Sequence, residues 1–385
     1  MNRLRHPTLV TALMLAALAA IPAQATKPYF PQAAANQQQG ARRATIELLF
    51  VLDTTGSMGG MLEGAKTKIW GIVNDVLQQP GNAGATIRVG LVAYRDRGDA
   101  YITRVTPLTD NLDAVYSQLM SFKAQGGGDG PEDVRSAMAE AVRLGGWSAP
   151  GPRTSQVMFL VGDAPPHDDY SNLPATESSS RSAARRGIIV NAVQCGNDDE
   201  TTRAWRNVAQ YGGGEYFAIA QDGGVDIAVT PYDEQLARLG EQMGATYMAY
   251  GASEKRMARQ SAQVAMESSV AAAAPPAAIA ERALNKALNE RAYDDSDLVQ
   301  KAESGKLALP QIAAAELPDS LRRLAPEQRQ AALDKAVSQR KALRTQIVAL
   351  SKQRDQYLAQ QRAKGGAGKA GFDAAVSHAL TRQIK

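Results

Sequence analysis

Apolar positions along the chain alternate between two textures. Residues 46–52 (IELLFVL) and 157–161 (VMFLV) are nearly continuous apolar runs, as expected of strands covered on both faces. Between them, Leu62, Ala65, Ile69, Ile72 and Val76 recur every three or four residues, which places them on one face of a helix. The same reading predicts further strands at 86–94, 101–108, 188–194 and 215–219. It predicts helices at 112–123, 131–144, 176–186 and 200–210, and a last one marked by Leu236, Leu239, Met243 and Tyr247. Alternation of this kind implies an α/β fold with a doubly wound, mainly parallel sheet and helices on both faces. Such sheets hold ligands beyond the carboxyl ends of their strands.

The pattern changes at both ends. Residues 1–25 begin with Arg3 and Arg5, continue with an apolar run at 9–21, and close on Ala23-Gln24-Ala25. A basic start, a short apolar stretch and a small-x-small site predict a cleaved signal peptide with Thr26 as the first mature residue. The apolar run is shorter than the ~18 to 20 residues that span a bilayer, so the mature protein is expected to be periplasmic or secreted. Residues 26–43, rich in Gln, Ala and Pro, are expected to form a flexible leader. The α/β domain is assigned to 44–252, a helix and an Ala/Pro linker (AAAAPPAA at 271–278) to 253–280, and a mostly helical region to 281–385. A helix opening at Pro326 carries Leu333, Leu343, Ile347, Leu350 and Tyr357 at heptad-compatible spacing, with Arg340 and Arg354 on the same seam. Two arginines on a seam disfavour a two-stranded coiled coil and favour a helical hairpin or an amphipathic docking helix.

Composition narrows the chemistry. The 43 Lys and Arg against 39 Asp and Glu give a net charge of +4. Loss of Arg3 and Arg5 with the signal leaves +2, too close to neutral for a dedicated nucleic-acid binder. One cysteine forbids an internal disulfide, and His6, His167 and His378 are too scattered for a His/Cys zinc site. Cys195 lies in an apolar run and reads as a buried structural thiol. The sequence shows no Gly-Lys-Ser/Thr phosphate loop and no nucleophile–histidine set, so a non-enzymatic role is expected.

The first apolar strand ends in Asp53-Thr54-Thr55-Gly56-Ser57. One carboxylate and two hydroxyls at alternate positions on a strand-to-helix turn form an oxygen-only donor set. Such a set suits a hard cation, Mg²⁺ first, with Ca²⁺ or Mn²⁺ as alternatives. This pattern resembles the von Willebrand factor A (vWA) domain and its metal-ion-dependent adhesion site (MIDAS), over roughly residues 44–250. The resemblance implies a Rossmann-like fold and a late metal-site aspartate, matched here by Asp163 in Val161-Gly162-Asp163. It also implies a threonine on a further loop. The glycine-rich Gly126–Asp133 segment falls there, holds no threonine, and offers Asp129 instead.

The implied metal ligands are therefore Asp53, Thr55, Ser57, Asp129 and Asp163, and the implied role is protein–protein adhesion. The expected partner is an envelope or extracellular protein whose acidic side chain completes the metal shell. If Asp129 binds alongside Asp53 and Asp163, three carboxylates face one cation, which favours a tight metal and a partner offering a neutral oxygen. Structural readings accompany these: Ser57 or Asp53 as a helix cap, Glu132 and Asp133 as complements of a helix dipole, His167 as a solvated loop residue, and Arg95, Asp96 and Arg97 as a surface ion cluster. Two functional alternatives are an envelope scaffold and a Mg²⁺-dependent hydrolase. The scaffold would act through the basic C-terminal region, where 326–385 carries twelve Lys and Arg against four Asp and Glu and can contact anionic envelope surfaces. The hydrolase lacks the second acid of aspartyl-phosphate enzymes, because Thr55 stands two residues after Asp53.

Overall fold

The computed structural model describes residues 44–385 apart from 171, 226–227, 366–370 and 385. The signal peptide read at 1–25 and the leader at 26–43 lie outside the described residues. Six strands form one sheet in the order β3-β2-β1-β4-β5-β6. They are β1 (Thr45–Asp53), β2 (Thr86–Tyr94), β3 (Thr103–Thr109), β4 (Thr154–Gly162), β5 (Ile188–Cys195) and β6 (Gly213–Ile219). All neighbouring pairs are parallel except β2 with β3.

Helices cover both faces because alternate side chains of each central strand enter opposite cores. Leu48, Phe50 and Leu52 join one core, formed with α1 (Gly59–Gln78) and α2 (Leu112–Ser121). Leu49 and Val51 join the other, formed with α3 (Val134–Leu144), α4 (Thr176–Arg185) and α5 (Asp199–Gly212). The chain builds β1 to β3 toward one edge and then returns to place β4 on the other side of β1. The topological switch point therefore falls between the carboxyl ends of β1 and β4, where open α/β sheets present their binding crevice.

Past the sheet come α6 (Asp233–Gly244), α7 (Ser253–Ala273), α8 (Pro276–Leu288), α9 (Leu298–Glu303), α10 (Asp319–Arg322), α11 (Pro326–Gly365) and α12 (Phe372–Gln383). The described residues form one compact unit. The stretch read as a linker is a two-residue break between helices. Pro276 opens α8 at a position that has no intrahelical N–H bond to lose, and Ala277 and Ala278 are buried. Helix α11 docks along the domain, with Leu343, Ile347 and Leu350 packed against apolar residues of α6 and α8. The seam arginines are the buried polar anchors of that docking. Arg340 pairs with Asp297 and donates to Thr246 Oγ1 at 2.7 Å. Arg354 reaches Asp233 Oδ1 at 2.7 Å and Glu281 Oε1 at 2.6 Å. Helix α12 returns to the sheet, where Phe372 sits 6.1 Å from Phe50, ring to ring. Among the described residues no helix is long and apolar enough to cross a membrane.

Candidate metal centre

Strand β1 ends at Asp53 and β4 at Gly162, and the two run parallel with Leu52 beside Val161. That register brings Asp53 and Asp163 to the switch point together. Gly162 permits the approach, since a Cβ there would lie 2.3 Å from the Tyr94 hydroxyl and 3.3 Å from Asp53 Cβ. Asp53 is fully buried. Its Oδ1 accepts from Thr55 N at 2.8 Å and Thr55 Oγ1 at 2.7 Å, and its Oδ2 has no partner. Thr55 Oγ1 and Ser57 Oγ lie 3.5 Å apart. Asp163 repeats the arrangement: Oδ2 accepts from Gln221 Nε2 at 2.5 Å, while Oδ1 is buried and unpartnered. Neither Asp53 nor Ser57 caps α1, whose N-cap is Met58 with no side-chain bond.

Burial is the main force on the Asp53 carboxyl and lifts it to about 7. The two bonds from Thr55 oppose that lift, and the nearby Asp163 charge adds to it. An oxygen that is shut from water, faces another carboxylate and has no donor is costly to bury. A cation between the two carboxylates removes that cost. The buried orphan oxygens and the hydroxyls of Thr55 and Ser57 fit a hard divalent cation.

The glycine loop closes the crevice from the side. Gly56 N donates to Gly126 O at 3.1 Å and Gln125 N to Thr54 O at 3.1 Å. Gly127 has φ +76°, and a Cβ there would lie 3.0 Å from Glu132 Oε1 and 3.3 Å from Thr55 Cβ. The carboxylate that enters the buried part of the site from this loop is therefore Glu132. It is 4% exposed, and its Oε2 is buried without a partner. Burial raises its carboxyl to about 9, helped by the charges of Asp53, Asp96, Asp99 and Asp163. Sequence reasoning placed Glu132 at a helix start as a dipole complement, and no spacing signal set it apart from Asp133. Asp133 does cap α3, accepting from Ser136 N at 2.9 Å.

Asp129 borders the same crevice of about 390 Å³ as Thr55, Ser57 and Asp163. Its side chain is 63% exposed, with Oδ2 3.5 Å from His167 Nε2. The structure thus brings Asp53, Thr55, Ser57 and Asp163 together at the floor and places Asp129 on the rim.

Two structural readings change, those of His167 and of the Arg95–Asp96 pair, while the reading of Cys195 as a buried thiol holds. His167 is not solvated, its side chain being 13% exposed, because the ring stacks on Tyr170 with centroids 4.3 Å apart. Arg95 and Asp96 are buried rather than part of a surface cluster. Arg95 braces the site, donating to Thr54 O at 3.2 Å and Lys123 O at 2.6 Å, and so ties the β1 turn to the start of the glycine loop. Cys195 is buried, and burial pushes its thiol well above the ordinary range.

Part of the chain is similar to known proteins. Residues 47–227 match the family model of the von Willebrand factor A domain. The human von Willebrand factor A domain-containing protein 7 is 33% identical over 123 residues, covering 32% of this chain and 12% of that protein. An ariadne-like RING finger protein of Acanthamoeba polyphaga mimivirus is 27% identical over 127 residues, again 32% of this chain and 12% of that protein. The chain thus spans about 12% of the length of these curated relatives. Among solved structures, the conserved hypothetical protein BatB from Bacteroides thetaiotaomicron covers 46% of this chain and 90% of its own, at 17% identity and a TM-score of 0.34.

Proposed function

With a vWA domain as the premise, we propose that the protein is an exported, non-enzymatic binding module, periplasmic or secreted, that captures a partner protein through a divalent cation. The residues that would hold the cation are Asp53, Thr55, Ser57 and Asp163, with Glu132 as a third carboxylate and Asp129 on the rim. The cation supplies a hard, positively charged docking point for an oxygen of the partner. The single observation that carries this reading is the set of buried, unpartnered oxygens on Glu132 and Asp163, which line one crevice, and on Asp53, which is bonded to Thr55 of that lining. Three neighbours aim or brace them. Thr55 orients Asp53, Gln221 orients Asp163, and Arg95 holds the loop that carries the glycines. Mg²⁺ suits an oxygen-only set of hydroxyls and carboxylates and retains water that a partner's oxygen can replace.

The test is Mg²⁺-dependent retention. Tagged mature chain is passed over envelope extract in Mg²⁺ and in chelator, beside an Asp53→Ala variant. Partners held by wild type in Mg²⁺ should be released by chelator and absent from the variant. Identical retention in all arms would overturn the proposal, and loss only on deleting residues 281–385 would favour the envelope scaffold.

A further inference from the structure

His167 occupies a setting that the β1–β4 crevice does not explain. Its Nδ1–H donates to Asp169 Oδ1 at 2.9 Å. Because a carboxylate only accepts, Nδ1 is the ring nitrogen that bears the N–H, which leaves Nε2 as the atom able to serve as a ligand. Nε2 is closed off from solvent and has no hydrogen-bond partner. It looks toward two carboxylate oxygens, Asp96 Oδ2 at 3.6 Å and Asp129 Oδ2 at 3.5 Å. These separations are too long for hydrogen bonds. They do match two donors sharing one cation, since ligands about 2.1 Å from a tetrahedral centre lie roughly 3.4 Å apart.

The surrounding chain holds Asp96 and His167 in place and ties the loop bearing Asp129 to them. Asp96 is buried and accepts from the Tyr170 hydroxyl at 2.9 and 3.1 Å. The same Tyr170 ring stacks on His167, so one residue positions two of the donors. Glu132 N donates to Pro165 O at 3.0 Å and His167 N to Glu132 O at 3.1 Å, which ties the loop bearing Asp129 to the loop bearing His167. Exposed Asp129 leaves one open side for a cation and its water to enter.

We propose that Asp96, Asp129 and His167 form a second cation site, taking a borderline divalent metal of the Zn²⁺ class. One imidazole and two carboxylates form a mixed nitrogen–oxygen set that suits Zn²⁺, whereas the crevice floor offers oxygen alone. Asp169 is the positioning residue: it fixes the tautomer and ring angle, as carboxylates behind metal-bound histidines do. Occupancy of this site anchors Asp129 and with it the glycine loop that walls the first crevice.

The experiment uses the full mature chain stripped with chelator and titrated with Zn²⁺ by calorimetry, with metal content read by mass spectrometry. Asp53→Ala should retain one Zn²⁺ at wild-type affinity. His167→Gln in that background should bind at least 100-fold more weakly. Asp169→Asn should weaken binding by about 10- to 100-fold with stoichiometry retained. Co²⁺ in place of Zn²⁺ should give a visible absorption band that His167→Gln alters and His378→Gln does not. Equal melting of wild type and His167→Gln in chelator shows that the ligand, rather than the fold, was lost. If Asp53→Ala abolishes Zn²⁺ uptake, or His167→Gln leaves it intact, the second site does not exist. Failure of Mg²⁺ binding with Zn²⁺ uptake intact would sink the first site alone.

Discussion

Asp53→Asn should stabilise the metal-free protein and destroy its response to Mg²⁺. The carboxyl is lifted from 3.8 to about 7, so the folded state holds a proton that the unfolded state releases in this range. The resulting penalty is absent below pH 3.8, grows as pH rises, and levels off above the folded value. At about 1.4 kcal/mol per unit, it reaches roughly 4 kcal/mol. Asparagine keeps an oxygen for the two Thr55 donors but places an amide N–H where Oδ2 was, which costs about 1–3 kcal/mol if unpaired. The net gain for the variant above neutral pH is on the order of 1–3 kcal/mol, a rise of a few degrees in melting temperature. Mg²⁺ cancels most or all of that advantage, because a hundredfold excess over Kd adds about 2.7 kcal/mol to wild type and nothing to the variant. Differential scanning calorimetry at pH 4 and pH 8, with chelator and with Mg²⁺, measures all four states. A metal-free variant that melts below wild type at pH 8 would show that Asp53 is not strained by burial. A variant still stabilised by Mg²⁺ would place the metal elsewhere.

Glu132→Gln should lower Mg²⁺ affinity at least tenfold by calorimetry while Asp129→Asn changes it little, and the opposite order would assign the loop's ligand to Asp129. Arg354→Ala strands Asp233, 2% exposed, and Glu281 beneath α11, and should cost about 3–5 kcal/mol in urea unfolding; a loss under 1 kcal/mol would show that water replaces the arginine. Burial raises the Asp113 and Glu267 carboxyls, but the charges of Arg282 and Lys286 outweigh it and hold both below the ordinary range. Their stabilising contribution is therefore full above the unfolded carboxylate values and lost as pH falls through the lower folded ones, so Arg282→Met should flatten the acid side of the stability–pH curve. Phe372→Ala should cost about 3–5 kcal/mol, since the ring packs on Phe50 in the sheet core; unchanged stability would mean that α12 is dispensable.

The strands were legible because burial on both faces leaves long apolar runs, and β1 and β4 show theirs most plainly. The helix periods of α1 and α11 were legible because a docked helix needs one apolar face, whatever it docks on. Asp53, Thr55 and Ser57 stood out because alternate donors on a single turn are a local pattern. Their meeting with Asp163 depends on β1 and β4 being neighbours 110 residues apart in sequence, which strand order alone decides. Glu132 could not be separated from Asp133 on the page, since both are acids at the start of a helix; the difference lies in which side chain the loop turns into the crevice. Arg340 and Arg354 looked like flaws in an apolar seam because their carboxylate partners lie on α6, on α8 and at the N-terminus of α9. The same holds for His167, Asp96 and Asp129, which sit on three separate loops. Local sequence records how each segment buries its apolar atoms, whereas a charged or metal-binding group is defined by partners that only chain crossings supply.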